Sequence, residues 1–118
     1  MDIRTVGVVG AGQMGNGIAH VMALAGYEVR LNDVSAEALD KALATIRKNM
    51  ERQVSREKIS EAEMEAALAR IVPEAALETL GACDLIIESA TEREEIKQKI
   101  FDALLPHLAE HTILTSNT

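Results

Sequence analysis

A chain of 118 residues has room for one domain around a single core. Its 47% hydrophobic and 26% charged residues match ordinary globular composition, which argues against disorder, and no apolar run approaches the roughly 20 residues of a membrane-spanning helix. A net charge of -7 and only two aromatic residues, Tyr27 and Phe101, argue against a nucleic-acid partner, which needs a basic face and stacking platforms.

Met1-Asp2-Ile3-Arg4 is not a charged-then-apolar leader, and the single cysteine, Cys83, allows no internal disulfide. Both fit a cytoplasmic setting. Thr5-Val6-Gly7-Val8-Val9 is a β-branched apolar run ending at Gly10, and its lack of polar alternation predicts a strand buried on both faces of a parallel sheet. Met14 to Ala25 follows as a helix, with Gly26 as its stop. Glu28 to Asn32 is a second strand, ending at Asp33. Ser35 is an N-cap, and Glu37 and Asp40 follow where the helix dipole favours acids. That helix carries Leu39, Leu43, Ile46 and Met50 at spacings of three and four, one buried stripe.

Ser60 and Glu63 form a capping box for another helix running to about Arg70. Ile71-Val72-Pro73 reads as a short strand whose proline suits a sheet edge. Leu85 to Ser89 is the clearest later strand. A helix follows from about Glu94 to Leu108, with Ile96, Ile100, Leu104 and Leu108 on one face, and Thr112 to Thr115 is a last strand. The alternation predicts an α/β fold: a doubly wound, mostly parallel sheet with a helical excursion after the second strand.

The most informative segment is Gly10-Ala11-Gly12-Gln13-Met14-Gly15, a G-x-G-x-x-G that follows a strand and opens a helix. Asp33 ends the next strand, 21 positions after Gly12. Together these are the marks of a Rossmann-type dinucleotide site. Gly10 permits the sharp turn, a side chain at Gly12 would collide with a pyrophosphate, and Gly15 lets the helix pack closely on the sheet. Main-chain N–H groups and the positive end of the helix dipole bind phosphate without lysine, so an acidic chain can hold an anionic ligand. Asp33 would accept bonds from the adenosine ribose and repel a 2′-phosphate, which favours NAD over NADP. The structural alternative is a glycine-rich turn with an aspartate that merely ends a strand.

Ligands bind at the carboxyl ends of strands in such sheets, which directs Ala90-Thr91-Glu92 and Ser116-Asn117 to the same crevice. Lys97, in the first turns of the following helix, reaches back toward the cofactor. His20 reads as a packed helix residue; His107 and His111 read as surface residues at the opposite end of the sheet. Glu61, Glu63 and Glu65 read as a solvated face, and Cys83 as a small buried hydrophobe. With a single cysteine and no Cys/His cluster, no metal is expected.

The chain resembles the NAD-dependent L-3-hydroxyacyl-CoA dehydrogenases, particularly the short-chain 3-hydroxybutyryl-CoA dehydrogenases. The resemblance is carried by Val8 to Ala19, by Asn32-Asp33, by Ile46 to Asn49, by Leu85 to Ala90 with Glu92 and Lys97, and by Thr115 to Thr118. It implies that residues 1–118 are the NAD-binding domain, with Met14 and Asp33 touching the cofactor, Ala90 and Glu92 near its nicotinamide half, and Lys97 hydrogen-bonding to it. It also implies coenzyme A contacts at Asn49 and Arg56, where the family has a serine and a lysine; Arg56 preserves the charge. The family's catalytic histidine, its orienting glutamate, and the helical domain that covers the substrate and forms a homodimer would follow Thr118. A catalytic residue is therefore not expected within this chain.

Two other functions remain compatible with the residues alone. One is a related β-hydroxyacid or sugar-acid dehydrogenase on the same cofactor fold; the long excursion and the Ser116-Asn117-Thr118 ending favour the acyl-CoA family. The other is a self-contained nucleotide-binding module with no chemistry.

Overall fold

The computed structural model describes residues 3–90 and 93–116. Five strands, β1 (Thr5–Val9), β2 (Glu28–Asn32), β3 (Ile71–Glu74), β4 (Leu85–Glu88) and β5 (Ile113–Ser116), form one sheet in the order β3-β2-β1-β4-β5. Every pairing is parallel. The least alternating strand, β1, is central, and Pro73 sits on the edge strand β3, where a missing N–H costs no ladder bond.

Both faces of the sheet are covered, which is why the central strand β1 lacks polar alternation. On one face Val6, Val8, Val29 and Leu31 pack with residues of α1 (Gln13–Leu24), α2 (Ala36–Ser55) and α3 (Glu61–Ala69). On the other, Val9, Leu80, Cys83 and Ile86 pack with Leu104 of α4 (Glu94–Leu104). The stripe of α2 is buried through Leu39, Ala42, Ile46 and Met50. Ser35 caps α2 by accepting the Ala38 N–H at 3.1 Å, and Ser60 and Glu63 form the reciprocal capping box that opens α3.

The elements differ from the sequence expectation in several places. The helix after β4 stops at Leu104, and Leu105–His107 continues as one 3-10 turn, because Pro106 has no N–H for the α-helical ladder. The last strand runs one residue later, Ile113–Ser116. An unforeseen 3-10 segment, Leu77–Ala82, carries Leu80 into the second core. Gly26 ends α1 at a φ of +105°, as its helix-stop role requires.

Candidate functional site

The site begins where β1 stops. The Gly10 N–H donates to the Asn32 carbonyl at 2.8 Å, and the Ser89 N–H donates to the Val9 carbonyl at 2.9 Å. The Ser89 hydroxyl adds a bond to the same Val9 oxygen at 3.0 Å. The turn is thus clamped from the ends of both neighbouring strands. Gly10 has a φ of +100°, and a Cβ there would lie 2.7 Å from the Ala90 Cα. A Cβ on Gly15 would fall 1.7 Å from the Gly10 carbonyl oxygen, so its bareness lets α1 seat against the turn.

Gly12 is different, because a Cβ there would meet nothing within 4 Å. It caps α1 without a side-chain bond, and the first turn of α1 contains no acid. An uncapped helix start beneath open space is the cradle a diphosphate needs, with N–H donors and the positive dipole end directed at it. The residues present therefore fit the phosphate part of a dinucleotide.

Asp33 stands beside this cradle. Its Oδ2 accepts the Ala11 N–H at 3.0 Å and its Oδ1 accepts the Ser35 N–H at 2.9 Å. Each oxygen retains a second lone pair for a sugar hydroxyl. The side chain separates two concavities. A groove of about 580 Å³ runs between the glycine loop and α2, bordered by Gly12, Gln13, Asn16, Lys41, Thr45 and Asn49. An apolar slot of about 270 Å³ lies on the other side, bordered by Gly10, Val34, Leu77, Ala90, Ile96 and Ile100. The slot suits a flat, weakly polar ring. A larger dish of about 680 Å³, with Arg4, Tyr27 and Arg70 on its rim, lies at the amino ends of the strands, remote from the glycine loop.

The structure brings Gly10, Ala11, Gly12, Gln13, Asp33, Ala90 and Asn49 to these two concavities. Met14 is half exposed on the first turn of α1. Lys97 is buried at 8% exposure, with its Nζ 3.9 Å from Glu94. Arg56 sits exposed at the C-cap of α2 and does not border the groove that Asn49 enters. Thr91, Glu92 and Asn117 lie outside the described residues.

Sequence reasoning missed the structural parts played by Asn32, Glu88 and Ser89 at the strand ends. An acid closing an apolar strand, as Glu88 does, was the available signal. Of the histidines, His20 is half-buried with its Nε2 2.7 Å from the Gln53 Oε1, and His107 and His111 are exposed. Among the described residues no group of three His, Cys, Asp or Glu is placed to hold a metal ion, and no helix is long and apolar enough to cross a membrane.

The model of the 3-hydroxyacyl-CoA dehydrogenase NAD binding domain family matches residues 5–118. Over 116 residues the chain is 53% identical to a 3-hydroxybutyryl-CoA dehydrogenase of Bradyrhizobium diazoefficiens, covering 98% of this chain and 40% of that protein. It is 41% identical, over its whole length, to 25% of the 3-hydroxyadipyl-CoA dehydrogenase of Escherichia coli. The crystal structure of a 3-hydroxybutyryl-CoA dehydrogenase from Escherichia coli superposes with a TM-score of 0.97 at 41% identity, covering all of this chain and 25% of that one. That of an (S)-3-hydroxybutyryl-CoA dehydrogenase from Ralstonia eutropha gives 0.95 at 43% identity, covering 99% and 41%. The chain thus spans well under half the length of these relatives.

Proposed function

Because the chain belongs to the 3-hydroxyacyl-CoA dehydrogenase NAD binding domain family, we propose that it holds NAD for the oxidation of (S)-3-hydroxyacyl-CoA, of short chain such as 3-hydroxybutanoyl-CoA, to 3-oxoacyl-CoA. The observation that carries this is the open, uncapped start of α1 at Gly12 beside the Asp33 carboxylate.

Bound NAD supplies the acceptor for the hydride leaving C3 of the substrate. The chain's own residues bind and orient. Main-chain donors of the glycine loop take the diphosphate, Asp33 takes the adenosine ribose hydroxyls, and the slot between Val34, Ile96 and Ile100 receives the adenine ring. Lys97, Thr91 and Asn117 are assigned to the cofactor, and Glu92 to its nicotinamide half. Asn49, on the groove wall, and Arg56, at the end of the same helix, are assigned to coenzyme A. The substrate hydroxyl proton goes to a histidine held by a glutamate, both assigned to a helical domain after Thr118, through which the protein forms a homodimer. A neutral imidazole suits proton removal near neutral pH. A cytoplasmic location completes the reading.

Calorimetric titration of this chain with NADH and NADPH tests the cofactor assignment. NADH should bind and NADPH bind more weakly. Equal affinities, or no binding of either, would overturn it. Turnover by residues 1–118 alone should be negligible. In the whole protein, failure of (S)-3-hydroxybutanoyl-CoA to drive NADH formation would overturn the substrate class.

A further inference from the structure

Glu88 is the last residue of β4 and its side chain is fully buried. An ionisable group taken out of water is costly unless its oxygens are bonded. Its Oε2 accepts the Ala90 N–H at 2.6 Å, and its Oε1 accepts the Ser116 hydroxyl at 3.1 Å. These two partners belong to different segments. Ala90 lies just past β4, whereas Ser116 ends β5, directly opposite Glu88 in the parallel register.

The position of this bridge in the sheet gives it a meaning. Glu88 also lies opposite Val9, the residue before the glycine loop. Asp33 is on the β2 side of that loop, and the Glu88–Ser116 bridge is on the β4–β5 side. A dinucleotide whose diphosphate crosses the loop at the strand-order switch, with its first ribose at Asp33, must lay its second nucleoside over the ends of β4 and β5. We propose that Glu88 is a positioning residue for that second, nicotinamide-bearing half: its buried carboxylate fixes the Ala90 amide and the Ser116 hydroxyl, and so preforms the floor on which the half rests. Glu88 does not itself touch the ligand. The inference rests on the dinucleotide reading above.

The test compares NADH with ADP-ribose, which lacks nicotinamide, by calorimetry on this chain. Ala90 also borders the apolar slot, so Glu88→Ala should cost both ligands something. The informative quantity is the ratio of the two affinities, because general loosening of the fold weakens both in proportion. For Glu88→Ala the preference for NADH over ADP-ribose should fall by about fivefold, a change well inside what one or two lost ordering bonds produce. Glu88→Gln keeps an acceptor for Ala90 and gives Ser116 a donor, so it should restore the ratio to within about twofold. Ser116→Ala, at an exposed residue, leaves the core intact and should shift the ratio in the same direction as Glu88→Ala. A ratio unmoved in Glu88→Ala and Ser116→Ala, or one that Glu88→Gln fails to restore, overturns the role of Glu88. Absence of ADP-ribose binding by the unaltered chain overturns the dinucleotide reading instead.

Discussion

Asp33 accepts the backbone N–H of Ala11 at 3.0 Å, and so ties the end of β2 to the middle of the glycine loop. One carboxylate thereby shapes the glycine loop and, in the proposed reading, would also grip the ribose beside it. Asp33→Ala should weaken NADH binding by roughly 1.5–3 kcal/mol, the range for hydrogen bonds to a charged partner. It should also reduce discrimination against NADPH. Lys41 borders the same groove and would then face a 2′-phosphate with no carboxylate opposing it. Asp33→Asn keeps one acceptor oxygen and should fall between. Paired NADH and NADPH titrations decide the matter, and an unchanged preference would remove Asp33 from the ribose site.

Three glycines within six residues separate packing from binding. A Cβ on Gly15 would overlap the Gly10 carbonyl, so Gly15→Ala should lose about 1–3 kcal/mol of stability or more. Gly12 and Gly17 both look into open space, yet only Gly12 faces the cradle. Gly12→Ala should fold with little change while its NADH affinity drops. Gly17→Ala, inside α1, should gain roughly 0.5–1 kcal/mol and bind as before. Urea unfolding beside NADH titration of the three variants checks this, and a Gly12→Ala chain that still binds normally would contradict the cradle.

Much of this site was legible because its signals are local. The glycine loop, Asp33 and the Ser35 cap each declare themselves within a few residues, and β1 and β4 show compact, largely apolar runs. The groove wall was harder. Lys41, Thr45 and Asn49 recur every fourth residue on α2, but only the packing of α1 against α2 turns them toward Gln13 and Asn16. Glu88 was legible as a strand residue and no further, because its burial follows from the register with Ser116, a pairing across 28 positions. The end of α4 was misread because the leucine spacing runs on through Pro106, whose missing N–H overrides it.

Cys83 is fully buried, and that burial, offset in part by the nearby Arg30, raises its thiol from 9.0 to about 11. The reactive thiolate is therefore scarce at pH 8, and the sulfur is shielded as well. Labelling of the folded chain with a disulfide reagent at pH 8 should be slow and limited by opening of the core around Leu80 and Ile86. Mild urea should accelerate it steeply. Immediate stoichiometric labelling without denaturant would contradict the packing of this face.

At the amino ends of the strands, Asp84 makes the counterpart of the Asp33 clamp. Its Oδ2 accepts the N–H groups of Arg4 and Thr5 at 2.8 and 3.0 Å, and its Oδ1 lies 2.7 Å from the His111 Nε2. The Arg4 bond, then the Thr5 bond, then His111 lower its carboxyl from 3.8 to about 2. A carboxyl depressed in the folded state adds stability that is fully present above its unfolded value and is lost as pH falls through its folded one. Asp84→Asn should therefore be less stable than the unaltered chain near pH 5, and the gap should close between about pH 4 and pH 2. Urea midpoints across that range measure it. A gap that stays constant would mean that the start of β1 depends on the shape of residue 84 and not on its charge.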